Sequence, residues 1–202
     1  METREKILDV AMEQFTKYGV RNTTMDDIAR LMGISKKTLY QEFKDKKDLV
    51  RVTFELILEK DQKEMVFIKD SGTDVVDHLV KISKMIRRRL SEINPMAIFE
   101  VQKYFPEIWD LFEEHREKVI MTDFVNIIER GKQLGYFRDE IDSQIMARLR
   151  VNQISEAMNP NNYSNRSVNL AEEQLQTMDH FLHGIFTEKG REAYKTQKAK
   201  HI

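Results

Sequence analysis

Cysteine is absent from the 202 residues, which excludes structural disulfides and thiolate metal centres. Proline occurs three times and glycine seven times, so few points break the chain. Aromatic residues make up 9% of the sequence, too sparse for a strand-rich core of stacked rings. No apolar run approaches the roughly 20 residues that span a bilayer, and no basic-then-apolar leader opens the chain. The default expectation is a soluble cytoplasmic protein without a membrane partner. What is present is 41% apolar and 33% charged residues, a balance that predicts an all-α fold with a sizeable core.

The formal net charge is only -1, but its distribution is uneven. Between Ile28 and Arg51 stand seven basic residues, Arg30, Lys36, Lys37, Lys44, Lys46, Lys47 and Arg51, against three acids, Glu42, Asp45 and Asp48. Such a local excess of +4 suits contact with phosphates.

Helical spacing of Ile7, Leu8, Ala11 and Phe15 predicts a first helix ended by Gly19. Thr24 and Asp27 form a capping pair for a second helix carrying Ile28, Leu31 and Met32. Gly33-Ile34-Ser35 interrupts it. Ser35 caps a third helix with Leu39 and Phe43 on its buried side, and Asp45 caps a fourth from about Lys46. Further helices follow from 73 to about 93, from Pro95 to near Phe105, from Pro106 to Gly131, from Ser143 to Met158 under an Asp142 cap, and from Asn169 to Phe186. An Asn-rich loop is expected at 159–169. No internal repeat is visible.

Two short helices joined by a glycine turn, the second opening on hydroxyl and basic residues, form a DNA-reading arrangement. Lys36, Lys37 and Thr38 fall on the exposed first turn. Short capped helices with lysines also occur in plain helical domains, so the pattern alone leaves both readings open. No Ser/His/Asp set, phosphate loop or paired catalytic carboxylates can be found, and neither an enzyme nor a cofactor is expected. His180 and His183 have metal-compatible spacing but lack a convincing third ligand, so no metal site is assigned.

The longer stretch is more specific. Thr24-Met25-Asp26-Asp27-Ile28-Ala29, then Gly33-Ile34-Ser35-Lys36-Lys37-Thr38-Leu39-Tyr40, Phe43 and Asp45-Lys46-Lys47-Asp48-Leu49 resemble the tetracycline-repressor (TetR) family. Ile7-Leu8-Asp9-Val10-Ala11 and Phe15-Thr16-Lys17-Tyr18-Gly19-Val20 match its first helix. The resemblance covers roughly residues 3–52. Beyond it, Ile128-Glu129-Arg130-Gly131 with Gly135 and Phe137 is a local echo. It implies an N-terminal three-helix helix-turn-helix domain at 1–50. A larger helical ligand-binding and dimerisation domain would follow at 51–190, with a frayed basic tail at 191–202, giving about nine helices in all.

By position, the resemblance implies that Thr24, Ser35, Lys36, Lys37, Thr38, Tyr40, Gln41 and Lys46 face DNA, with Thr24 and Lys46 on phosphates and Gln41 able to read adenine. Glu42 is expected to face solvent and balance Lys46. Met85, Phe99, Gln102, Tyr104, Trp109, Phe112, His115, Met121 and Phe124 are the candidates for lining a ligand pocket, because methionine and aromatics make an adaptable apolar wall. The dimer interface is expected from Ile145, Leu149, Ile154, Met158, Leu175, Met178, Leu182, Ile185 and Phe186, with Gly184 allowing close approach.

The resulting expectation is a homodimeric repressor released from a palindromic operator in double-stranded DNA by a small, largely apolar effector. The alternatives are a regulator of the same fold without an inducer, or a helical small-molecule-binding protein that never touches DNA.

Overall fold

The structure is a computed structural model that describes residues 3–72, 74–159 and 169–200. Most of the expected Asn-rich loop, residues 160–168, lies outside the described residues. Eleven α-helices form among the described residues: α1 (Thr3–Tyr18), α2 (Met25–Met32), α3 (Lys36–Glu42), α4 (Lys46–Ser71), α5 (Val75–Glu92), α6 (Pro95–Tyr104), α7 (Pro106–His115), α8 (Met121–Gln133), α9 (Ser143–Ala157), α10 (Leu170–Ile185) and α11 (Glu188–Lys200). A single bridge between Phe137 and Phe186 is the β-pairing described. No described helix is long and apolar enough to cross a membrane.

The helix starts follow local chemistry. Asn94 accepts a hydrogen bond from the Met96 amide at 2.9 Å, and Pro95 occupies the first turn of α6, where its missing N–H costs nothing. Asp45 accepts from the Asp48 amide at 2.8 Å, while Asp48 accepts from the Lys44 amide at 3.1 Å, a reciprocal cap on α4. Asp142 caps α9 through the Ile145 amide at 2.9 Å. The long helix expected from Pro106 carries a π-helical turn at Arg116–Ile120 between α7 and α8. Arg116, opening that turn, is tucked against α9 by a hydrogen bond to the Ser155 hydroxyl.

Packing divides the chain into two compact units. One comprises Met1–Gln62 with Glu92–Glu113, the other Lys63–Ser91 with Glu114–Ile202. The first takes in more chain than 1–50, because Val101 of α6 and Ile108 of α7 join the core made by Ile7, Ala11, Phe15, Ile28, Leu39 and Leu49. The core of the second is built by Val76, Leu79, Ile128, Phe137, Leu182 and Phe186 with their neighbours.

One expectation is corrected. The stretch from 191 is not a frayed tail but the body of α11. Its anchor is Tyr194, buried against Phe186 at a ring separation of 5.4 Å and donating its hydroxyl to Asp179 at 3.0 Å. Lys198 closes on the same carboxylate at 2.7 Å. A lysine-rich sequence with one buried ring looks disordered by composition, yet that ring holds the helix in place.

Candidate nucleic-acid interface

The α2–α3 pair is set up by short-range bonds. The Thr24 hydroxyl accepts from the Asp27 amide at 3.1 Å, and the Asp27 carboxylate accepts from the Thr24 amide at 3.0 Å and from its hydroxyl at 2.6 Å. The hydroxyl bond, then the amide bond, holds the Asp27 carboxyl below its ordinary range. Gly33 ends α2 with φ +64°, a left-handed conformation that a Cβ disfavours. Its amide donates to the Arg30 carbonyl and the Ile34 amide to the Ala29 carbonyl. Ser35 then caps α3, accepting from the Thr38 amide at 3.1 Å.

Leu39 and Phe43, 0% and 1% exposed, seat α3 on the core of the first unit. With that side fixed, helical geometry puts Lys36, Lys37, Tyr40 and Gln41 on the opposite face, and all four are exposed. Tyr40 has half of its surface free. Thr24 and Ser35 are exposed at the helix starts and Thr38 is half-buried.

Lys46 stands apart from the other candidates. It is half-buried and donates to the Arg21 carbonyl at 3.2 Å. Burial lowers its pKa, opposed by the nearby Glu100 carboxylate. The Lys46 ammonium therefore ties the start of α4 to the α1–α2 loop. Glu42 is corrected as well. Its partner is Arg4, whose guanidinium bonds the Glu42 carbonyl and carboxylate and lies 4.3 Å over the Phe43 ring.

The sequence count of cations overstates the free charge. Lys36 pairs with Asp26, Arg30 with Asp27, Lys47 with Glu107, and Arg51 with both Asp48 and Glu55. Lys37 and Lys44 have no ion-pair partner among the described residues. Because these pairs are exposed, each is worth little in water.

The support behind the reading helix was missed by sequence reasoning. Glu100 of α6 is 5% exposed and accepts from the Arg21 amide at 2.8 Å. It lies against Gly19, where a Cβ would meet its Oε2 at 2.7 Å. Asn94 donates its amide to the Thr16 carbonyl at 2.8 Å. Nothing in the spacing of these residues distinguishes them from solvent-facing polar positions.

The pocket candidates divide between the units. Phe99, Gln102, Tyr104, Trp109 and Phe112 belong to the first, Met85, His115, Met121 and Phe124 to the second. Tyr104 is exposed, with the Arg21 guanidinium 4.7 Å over its ring. Trp109 stacks with Phe112 at 4.7 Å. Met85 and Phe124 are in the second core. An open cleft of about 960 Å³ in the second unit is lined by α5, α10 and α11, including Arg87, Leu175, His180 and His183, and by none of the nine.

The expected interface list narrows. Ile154, Met178, Leu182, Ile185 and Phe186 are enclosed by the chain's own helices, so they have no surface left to offer a second copy. Met158 and Leu175 are half-buried. Ile145 and Leu149, one turn apart on α9, remain 61% and 45% exposed. Gly184 on α10 is exposed too. His183 lies edge-on to Phe186 and Tyr194, with Asp179 at 3.7 Å. No group of three or more metal-ligating side chains occurs among the described residues.

Residues 7–53, which hold this whole α2–turn–α3 arrangement, match the family model for bacterial regulatory proteins of the tetR family. Through these residues the chain is similar to TetR-family transcriptional regulators. An uncharacterized HTH-type transcriptional regulator of Bacillus subtilis, YhgD, is 27% identical over 147 residues, covering 72% of this chain and 70% of that protein. The fold also matches a transcriptional regulator from Cytophaga hutchinsonii, with a TM-score of 0.71 at 24% identity over 91% of this chain and 98% of that one. A regulator from Saccharomonospora viridis solved in complex with choline gives 0.72 at 19% identity over 92% and 98%. These relatives are all transcriptional regulators. The chain's helix-turn-helix is the DNA-binding element.

Proposed function

We propose that the protein is a dimeric repressor that leaves a palindromic operator when a small, largely apolar molecule binds. The observation that carries the DNA half is the exposed face Lys36, Lys37, Tyr40 and Gln41, standing on a helix seated by Leu39 and Phe43. One such short helix reaches only a few base edges, so useful specificity needs two copies about one helical turn apart. Thr24, Ser35 and Thr38 border that face, and Gln41 has the amide that suits adenine. The ligand half is supported by the choline-bound Saccharomonospora regulator of the same fold. An effector acts only if it binds the released state more tightly than the DNA-competent one.

Selection from random duplex DNA, followed by salt titration of the winner, tests this reading. The expected result is an enriched palindrome whose affinity falls steeply with salt. A protein that enriches no sequence, with or without added metabolites, sinks it.

The exposed apolar pair on α9 supports the dimer. Ile145→Arg combined with Leu149→Arg is expected to sediment as a folded monomer at micromolar concentration, because neither side chain is in the subunit core. Wild-type protein sedimenting as a monomer would remove the dimer from the proposal.

A further inference from the structure

We propose that Arg150 is an anion receptor, and that the second unit binds a small monocarboxylate through Arg150 and Gln174. This deepens the ligand-responsive reading above and rests on it. Arg150, on α9, is the bulkiest of the fully buried side chains among the described residues, with 0% exposure. Its guanidinium donates from Nη2 to Gln174 Oε1 at 3.0 Å and from Nη1 to Gln153 Oε1 at 3.4 Å. Among the described residues its Nε has no acceptor, and neither has the Nε2 of Gln174. Two amide oxygens are thus shared among five N–H groups.

Among the described residues no carboxylate balances this charge. The one influence on Arg150's titration is burial, which lowers the pKa to about 10, so the group stays protonated at neutral pH. Residues 160–168, between α9 and α10, contain neither aspartate nor glutamate. A carboxylate docking on the outside of the subunit does not touch a side chain with no exposed surface. A buried unpaired charge is strongly unfavourable, and an anion brought from outside the chain would compensate it. Gln174 is 3% exposed, and Arg150 with Gln174 joins two facing helices, so the unsatisfied donors are not solvated surface groups.

The arrangement states the ligand's chemistry. One guanidinium balances one negative charge, and its planar fork matches the two oxygens of a carboxylate. A phosphate dianion brings a second charge with no further cation acting on this site. One turn away on the same faces of α9 and α10 stand Ala147, Ile154, Leu170 and Met178, all buried. The body of the molecule is therefore apolar.

The test compares wild type with Arg150→Met, which keeps the side chain's length and removes its charge. Thermal unfolding is followed with octanoate or decanoate, and with octanol or decanol as neutral counterparts. The acids are expected to raise the wild-type midpoint saturably and the alcohols not. Arg150→Met should respond to neither and, without ligand, unfold no lower than wild type, having lost an uncompensated charge. Acids and alcohols acting alike, no response of wild type to the acids, or a ligand-free Arg150→Met that unfolds well below wild type would each overturn the proposal in favour of a structural arginine. Should Arg150→Met fail to fold, Gln174→Leu serves instead, with an expected weakening of decanoate binding of about tenfold; unchanged binding overturns the proposal. Release of the selected operator is measured in parallel. Decanoate binding without release leaves the receptor standing and removes the effector reading. Release by neutral ligands that Arg150→Met leaves intact does the reverse.

Discussion

Leu39→Ala is expected to destabilise the protein by about 3 kcal/mol, equivalent to roughly 6–12 °C in the unfolding midpoint of a chain of this size. Leu39 is fully buried beneath α3 and is the side chain that turns Lys36, Lys37, Tyr40 and Gln41 outward. Truncating it leaves a cavity under a seven-residue helix that has little stability of its own. Operator affinity should fall together with the midpoint, although no DNA-facing residue has changed. Gln41→Ala, by contrast, should alter sequence preference while leaving the midpoint where it was. Melting curves and binding to the selected operator check both. An unchanged midpoint for Leu39→Ala would mean that α3 is not held by the core of the first unit.

The second large effect concerns salt. Lys37→Ala with Lys44→Ala removes two exposed cations of the head, neither with a carboxylate partner among the described residues. Each phosphate contact contributes about 0.9 to the slope of log affinity against log salt. The double variant should flatten that slope by roughly 2 if one subunit binds and roughly 4 if a dimer does. Arg51→Ala should change it little, because Arg51 is already engaged at 3.0 Å by Asp48 and at 2.8 Å by Glu55. Equal losses for Lys37 and Arg51 would show that the intramolecular pairs open freely on DNA. The paired carboxylates would then be irrelevant to the footprint.

These two predictions draw on different layers of information. The exposed face of α3 is legible in the amino-acid order, because a helix places its side chains by arithmetic once its cap is known. Which of the cations are free is not legible there, since Lys36 meets Asp26 from a neighbouring helix and Lys47 meets Glu107 from a distant one. The same contrast separates Thr24 from Glu100. Thr24 is recognisable from the acid three residues on. Glu100 supports the α1–α2 loop from 79 residues away along the chain, and its sequence neighbours give no hint of it.

The interface expectation shows how a periodic pattern can be right about helices and still misassign their faces. Leu175, Met178, Leu182 and Ile185 do form a stripe on α10, but the stripe is largely consumed by the core of the second unit. The stripe's length suggested a surplus of apolar surface; the core of the second unit, with α9 packed on α10, absorbs most of it. The surplus that remains is on α9, at Ile145 and Leu149.

Residue order was enough to establish the helical class, the caps at Thr24, Ser35, Asp45 and Asp142, the glycine turn and the outward face of α3. All of these rest on interactions within about one helical turn, where residue type and spacing contain the whole cause. Long-range packing was needed to establish that Lys46 and Glu100 brace the head, that Tyr194 turns a basic tail into a docked helix, and that Arg150 is buried without a counter-charge. Burial and pairing depend on which distant residues arrive at the same place, and charge or polarity in a sequence has no record of that.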